Sequence, residues 1–227
     1  MHLRKGILLD IEGTTTPINF VYDVLFPFAR AHVREHLGPE EIAALHTEYE
    51  SDIRNGQVPP EWSAAPVAYV HWLMDQDRKS TALKNLQGKI WLDGYKRGEL
   101  HGEVYGDVPP AFGKWHRAGI DIRIYSSGSI LAQRLLFSTT PSGDLTAFLN
   151  GYFDTTTGPK AERDSYVKIT NAYGIAATEI LFVSDVTREL DAARSAGMQT
   201  ELCVRPGNHP QPEGTHPIIQ SFEEIEV

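Results

Sequence analysis

The chain is poor in the features that mark several protein classes. It has one cysteine, Cys203, so no intramolecular disulfide can form and nothing requires an oxidising compartment. No apolar run is long enough to span a bilayer, and the first residues, Met1 to Gly6, lack the apolar stretch of a secretory signal. A cytoplasmic protein with no membrane partner is expected. There is no excess of basic residues: 21 Lys and Arg stand against 30 Asp and Glu, a formal net charge of -9. With no basic stripe, no nucleic-acid partner is expected either. Internal repeats, low-complexity tracts and long heptads are missing, and a monomer is the simplest expectation. An acidic chain also repels a phosphorylated ligand at long range, so any phosphate site must rest on local donors or a bound cation.

The hydrophobic share, 41% over 227 residues, is enough for a real core, and the length fits one large domain or a core with a smaller insert. The organising stretch is Asp10-Ile11-Glu12-Gly13-Thr14-Thr15. It follows Gly6-Ile7-Leu8-Leu9, which reads as a short buried strand. Carboxylates at i and i+2 of an extended chain point the same way, Gly13 permits a sharp turn, and the two threonines return hydroxyls toward it. A helical pattern follows from about Phe20 to Leu37, with Val21, Val24, Leu25, Phe28, His32 and Val33 on one face. It contains His32-Val33-Arg34-Glu35-His36, a zinc-protease-like spacing, although His32 falls on the apolar face. Helical patterns continue to about Gly98 with no convincing strand. After Gly98 an alternation begins: a helix from Asp107 to Trp115, a strand over 120–125, a helix from Ile130 to Phe137 and a short strand at Gly151–Asp154. A helix from Ala161 to Tyr173, a strand over 179–183, a helix from Arg188 to Ala196 and a strand over 199–204 complete it. Strands alternating with helices imply an α/β fold with a doubly wound parallel sheet. The helical segment is expected to be inserted after the first strand, giving a core of 1–16 and 100–227 and an insert of 17–99. The tail from Arg205 to His216, rich in Pro and Gly, reads as an ordered surface loop.

Four polar points then fall at strand ends or helix starts of one sheet: Asp10 with Glu12, Ser126 with Ser127, Lys160, and Ser184 with Asp185. Together they suit phosphoryl transfer through a covalent aspartyl phosphate. Asp10 is the candidate nucleophile, since a carboxylate is ionised at neutral pH. Ser126 and the amides of Ser127 and Gly128, where a helix begins, suit a dianion. Lys160 supplies a fixed positive charge, and Asp185 with Asp10 offers hard oxygen ligands for one Mg²⁺. Cys203, in a strand-like run, reads as a small core residue.

On these motifs the sequence resembles the haloacid dehalogenase superfamily, whose order is an Asp at a strand-end loop, a Ser or Thr after a later strand, a Lys, then an acidic pair. The resemblance implies that the helical insert is a cap domain, and that Asp185 with Glu189, four residues on, forms the last motif. More narrowly, Asp10-Ile11-Glu12-Gly13-Thr14-Thr15, Tyr125-Ser126-Ser127-Gly128-Ser129 and Val183-Ser184-Asp185-Val186 resemble the enolase-phosphatase family of methionine salvage. Leu86-Gln87-Gly88, Gly94-Tyr95 and Gly151-Tyr152-Phe153-Asp154-Thr155 do so as well. That resemblance implies a Mg²⁺-dependent enzyme acting on a small phosphorylated metabolite, 2,3-diketo-5-methylthiopentyl-1-phosphate, which it enolises and then dephosphorylates to an acireductone. It implies Asp10, Glu12 (through its backbone carbonyl) and Asp185 as metal ligands, and Ser126, Ser127 and Lys160 as substrate ligands. Phosphatases of the wider superfamily carry Asp where this chain has Glu12, which suggests that Glu12 is reset to move the proton in enolisation. In the cap, Lys89, Trp91, Tyr95 and Arg97 are candidates to line the methylthio end, or else simply pack and solvate the cap. A capped phosphatase or mutase for another small phosphoester is the alternative reading.

Overall fold

The computed structural model describes residues 4–212, 214 and 216–227. Met1, His2 and Leu3 of the N-terminal stretch, and Glu213 and Thr215 of the tail, lie outside the described residues. The chain divides into two compact units, one of Met1–Val21 with His101–Val227 and the other of Tyr22–Leu100.

The first unit begins with β1 (Gly6–Leu9), whose Ile7, Leu8 and Leu9 are wholly buried. A strand apolar on both faces must be covered on both, which is the condition of a central strand in a parallel sheet. The second unit holds α1 (Phe26–Ala31), α2 (Pro39–Arg54), α3 (Val67–Asp75) and α4 (Thr81–Lys96). These helices enclose a core of their own, in which Ala29, Val33, Leu45, Val70, Leu73, Leu86 and Ile90 are buried. One continuous helix from Phe20 to Leu37 is not formed. Phe20–Leu25 is a wide π-helical segment, α1 restarts at Phe26, and a tight 3₁₀ turn occupies Arg34–His36. Pro27 explains the break: it lacks an amide hydrogen and its ring collides with the preceding turn, so it is accommodated only near a helix start. The change of phase leaves Val24 38% exposed, although the helical periodicity puts it on the buried face.

The first unit resumes with α5 (Val108–Arg117), β2 (Asp121–Tyr125), α6 (Ile130–Ser138), β3 (Gly151–Phe153), α7 (Arg163–Tyr173), β4 (Ile180–Ser184), α8 (Thr187–Ser195) and β5 (Gln199–Cys203). Pro109 and Pro110 sit in the first turn of α5, where a missing N–H costs nothing, and α7 ends at Gly174 in the left-handed conformation. A two-residue strand, β6 (Ile218–Ile219), lies in the tail and was too short to leave a pattern in the sequence. The six strands are all parallel, in the order β3-β2-β1-β4-β5-β6. On one face Leu8, Phe182 and Leu202 pack against Tyr166, Ile169, Leu190 and Ala193. The sheet winds one way from β1 to β2 and β3 and the other way through β4, β5 and β6. The switch point therefore lies at β1 and β4, where open α/β sheets bind ligands beyond their carboxyl ends. Among the described residues no helix is long and apolar enough to cross a membrane.

Candidate active site

Asp10 leaves β1 at this switch point and is 2% exposed. The chain then wraps around the carbonyl of Ile11, which accepts the amides of Thr14, Thr15 and Thr16. Gly13 has φ +70°, and a Cβ built on it would lie 2.4 Å from Asp185 Oδ2. The turn thus demands a glycine twice, for its backbone and for its close approach to a carboxylate. One oxygen of Asp10, Oδ1, accepts the Ile11 amide at 2.8 Å and lies 2.6 Å from Lys160 Nζ. Its other oxygen, Oδ2, is 3.1 Å from the hydroxyl of Ser184.

Lys160 is buried, with its ammonium 2.6 Å from Asp10 and 2.6 Å from Glu189 Oε2. Burial opposes its charge, but the two carboxylates outweigh that and raise its pKa. The Ser184 hydroxyl also lies 3.0 Å from Glu189 Oε2, so Asp10, Glu189, Lys160 and Ser184 form one closed network. Glu189 is therefore not a solvated helix carboxylate. Burial first, and then the charge of Asp10, pushes its carboxyl up to about 7, and the same two causes push Asp185 up to about 7. Glu12 is raised as well, by burial and Asp10, against Lys160 and a 3.4 Å contact from the Ser126 hydroxyl.

Asp10, Glu12, Asp185 and Glu189 crowd four carboxyls around the Lys160 ammonium, and the excess of negative charge is held away from water. Hard anionic oxygens with unbalanced charge suit a small divalent cation such as Mg²⁺. Asp10 and Asp185, at the ends of adjacent strands, offer oxygen donors of the kind such an ion takes, although among the described residues no three His, Cys, Asp or Glu side chains form a ready-made metal cluster.

On the β2 side, Ser126 is buried at the strand end and Ser127 is exposed. The Gly128 amide is not free for a ligand: it donates to Ser126 Oγ at 3.1 Å, and the helix cap is Ser129, which accepts the Ala132 amide. Gln133, 1% exposed, donates to the carbonyls of Gly128 and Phe153 at 2.9 and 2.8 Å, pinning the Ser126–Ser129 turn.

Two residues outside the sequence expectations hold the Asp10 turn from the loop after β5. Asn208 donates to the Gly13 carbonyl at 2.9 Å. Arg205, 7% exposed, reaches the Thr14 carbonyl at 3.4 Å, pairs with Asp107 at 2.8 Å and lies over the rings of Tyr105 and Phe222. A Pro- and Gly-rich segment carries no periodicity that would reveal such contacts.

The other candidates are occupied within their own units. His32 Nδ1 and His36 Nδ1 face the carbonyls of Phe28 and His32 at 2.8 and 2.9 Å, and α1 ends before either, so the two rings do not share one helical face. Lys89 is paired with Glu41 and Glu40, Arg97 with Asp93 and Glu99, and Trp91 donates to the Leu25 carbonyl. Tyr95 is buried at 7% exposure. Cys203 is buried, which pushes its thiol up to about 12, an inert core residue as its strand setting suggests.

The switch-point carboxylate, the buried lysine and the acidic residues after β4 define a class. A family model described as haloacid dehalogenase-like hydrolase matches residues 4–197, and the chain belongs to that family. Within it, the chain is 48% identical over 231 residues to enolase-phosphatase E1 of Synechococcus elongatus, covering 96% of each. It is 49% identical to a probable bifunctional methylthioribulose-1-phosphate dehydratase/enolase-phosphatase E1 of Vitis vinifera, over 98% of this chain and 47% of that one. Among solved structures, the Unknown transcript 4 protein of Saccharomyces cerevisiae superposes with a TM-score of 0.78 at 35% identity, over 98% of this chain and 100% of that one.

Proposed function

We propose that this chain is the enolase-phosphatase of methionine salvage. It enolises 2,3-diketo-5-methylthiopentyl-1-phosphate and removes its phosphate, leaving the acireductone 1,2-dihydroxy-3-keto-5-methylthiopentene. The observation that carries this reading is the closed Asp10–Lys160–Glu189–Ser184 network at the switch point, in a chain nearly half identical to an enolase-phosphatase along its length.

Asp10 is the nucleophile. Its carboxylate attacks phosphorus, the enolate departs, and water then cleaves the aspartyl phosphate. Lys160 holds the Asp10 carboxylate in place and meets the charge that develops on the phosphoryl oxygens. Ser126 and Ser127 hold the phosphate group. Glu12, in hydrogen-bonding reach of Ser126, moves the proton of the enolisation step. An enolate leaves more readily than an alkoxide, so this carboxyl is released from protonating the leaving group. Asp10, Asp185 and the Glu12 carbonyl hold one Mg²⁺, which offsets the acidic cluster and polarises the phosphoryl group when bound. We assign residues 17–99 as the cap and 1–16 with 100–227 as the core domain, in a cytoplasmic monomer.

The test is a reaction of purified protein, Mg²⁺ and the diketone phosphate without oxygen, with near-ultraviolet absorbance of the enol and phosphate release followed together. An enol signal that rises before phosphate supports both activities in one chain. Phosphate with no enol or acireductone would make it an ordinary phosphatase. In that reaction Glu12→Asp should slow enolisation more than phosphate release, and equal effects would remove Glu12 from the proton transfer.

A further inference from the structure

Lys160 must hold its ammonium 2.6 Å from two carboxylates, yet it stands outside regular structure, in the connection between β3 and α7. A loop lysine has four rotatable bonds and a mobile backbone, so something else must fix it. The three carbonyls that lead up to its side chain are each held by a different hydroxyl. Tyr125 OH donates to the Gly158 carbonyl at 2.9 Å, Ser165 Oγ to that of Pro159 at 2.7 Å, and Tyr166 OH to that of Lys160 itself at 2.8 Å. All three donors sit on regular elements. Tyr125 ends β2, and Ser165 and Tyr166 are in the first turn of α7. Tyr125 and Tyr166 are wholly buried and Ser165 is 2% exposed. The two tyrosine rings pack edge to face, with centroids 5.6 Å apart, so each phenol is locked by packing before it makes its bond. Gly158 has φ +149°, and a Cβ there would lie 2.3 Å from Ser165 Oγ, so the clamp closes directly on the backbone.

We infer that Tyr125, Ser165 and Tyr166 are positioning residues for the reaction, which transfer the rigidity of β2 and α7 to the Lys160 ammonium. None of the three is assigned contact with substrate, and each acts through Lys160. The inference rests on the phosphoryl-transfer reading above. Catalysis depends steeply on such placement, since a displacement of about 1 Å can cost on the order of a hundredfold in rate.

Tyr166→Phe, Tyr125→Phe and Ser165→Ala remove single hydroxyls and keep the packing. Each is expected to lower kcat by about tenfold or more and to raise KM by a smaller factor, because the transition state depends on the lysine geometry more steeply than ground-state binding does. The decisive readout is coupling. If Tyr166 acts through Lys160, Tyr166→Phe added to Lys160→Met lowers kcat no further. A merely structural role predicts the same fractional loss in both backgrounds, and that result, or single variants with wild-type kcat, would overturn the inference. Assays use both the diketone phosphate and p-nitrophenyl phosphate. Wild-type turnover of the second alone refutes the substrate assignment, and the coupling is then scored on that ester. Wild-type inactivity on both refutes the functional reading and the positioning role with it.

Discussion

Crowding carboxyls around one ammonium has a thermodynamic signature that can be read without any substrate. In metal-free protein Glu189 is raised from 4.5 to about 7 and Asp185 from 3.8 to about 7. A carboxyl that holds its proton more tightly when folded adds stability that is fully present below its unfolded pKa. That stability is lost as pH rises through the folded value. The metal-free protein should therefore become less stable from about pH 4.5 to about pH 7, opposite to the trend of a salt-bridged carboxylate. At about 1.4 kcal/mol per unit, Glu189 alone accounts for roughly 3 kcal/mol. For a chain of this size that is on the order of 10 °C in melting midpoint. The assay is thermal unfolding in chelator across this range, repeated with saturating Mg²⁺. The cation binds the ionised carboxylates and so should flatten or reverse the slope. Glu189→Gln should remove its own share of the slope in the metal-free series. A metal-free midpoint that is flat or rises over this range, or a slope indifferent to Mg²⁺, would refute the reasoning.

Three further outcomes follow from particular contacts. Lys160→Met should reduce phosphate release by about 10²–10³-fold, measured as kcat, because Asp10 and Glu189 lose their shared counter-charge. Gly13→Ala places a Cβ 2.4 Å from Asp185 Oδ2 at a left-handed φ; it should cost about 1–3 kcal/mol in urea unfolding and most of the turnover. Asp107 is drawn below its ordinary pKa: burial opposes ionisation, but the Arg205 bond, the Phe222 amide and Ser221 outweigh it. Its contribution is present above pH 3.8 and lost as pH falls below that, so Asp107→Asn should show a shallower acid limb in a pH titration of stability.

Much of the core was legible because its signals are local. Ile7-Leu8-Leu9 ends at a carboxylate, Gly119 and Gly174 close their helices, and the alternation after Gly98 gives the parallel sheet. Asp10, Lys160 and Asp185 became candidates by their places at strand ends and before a helix. Glu189 came only from the resemblance, because a carboxylate in the first turn of a helix is by itself indistinguishable in sequence from a solvated one. Only the direction of α8, which aims Glu189 at Lys160 and Ser184, separates the two. The segment from Phe20 failed for a different reason: its apolar spacing is helical, but Pro27 resets the phase, and periodicity cannot see a break it spans. Arg205 and Asn208 act on residues nearly two hundred positions away, through a loop with no pattern to read.

The placement of β1 also governs how the protein is made. Its neighbours β2 and β4 are synthesised long after it, and the Ser184–Asp10 contact spans 174 positions. On the ribosome the Ile7-Leu8-Leu9 strand emerges ahead of both partners with its edges unpaired, the adhesive state that sheets must avoid. The next segment to emerge, Tyr22–Leu100, buries a core of its own before either partner strand exists. Asp10 is thus translated well before the residues that come to surround it. A nascent chain stalled before β4 carries Asp10, Ser126 and Lys160 but no Asp185 or Glu189 to complete the centre.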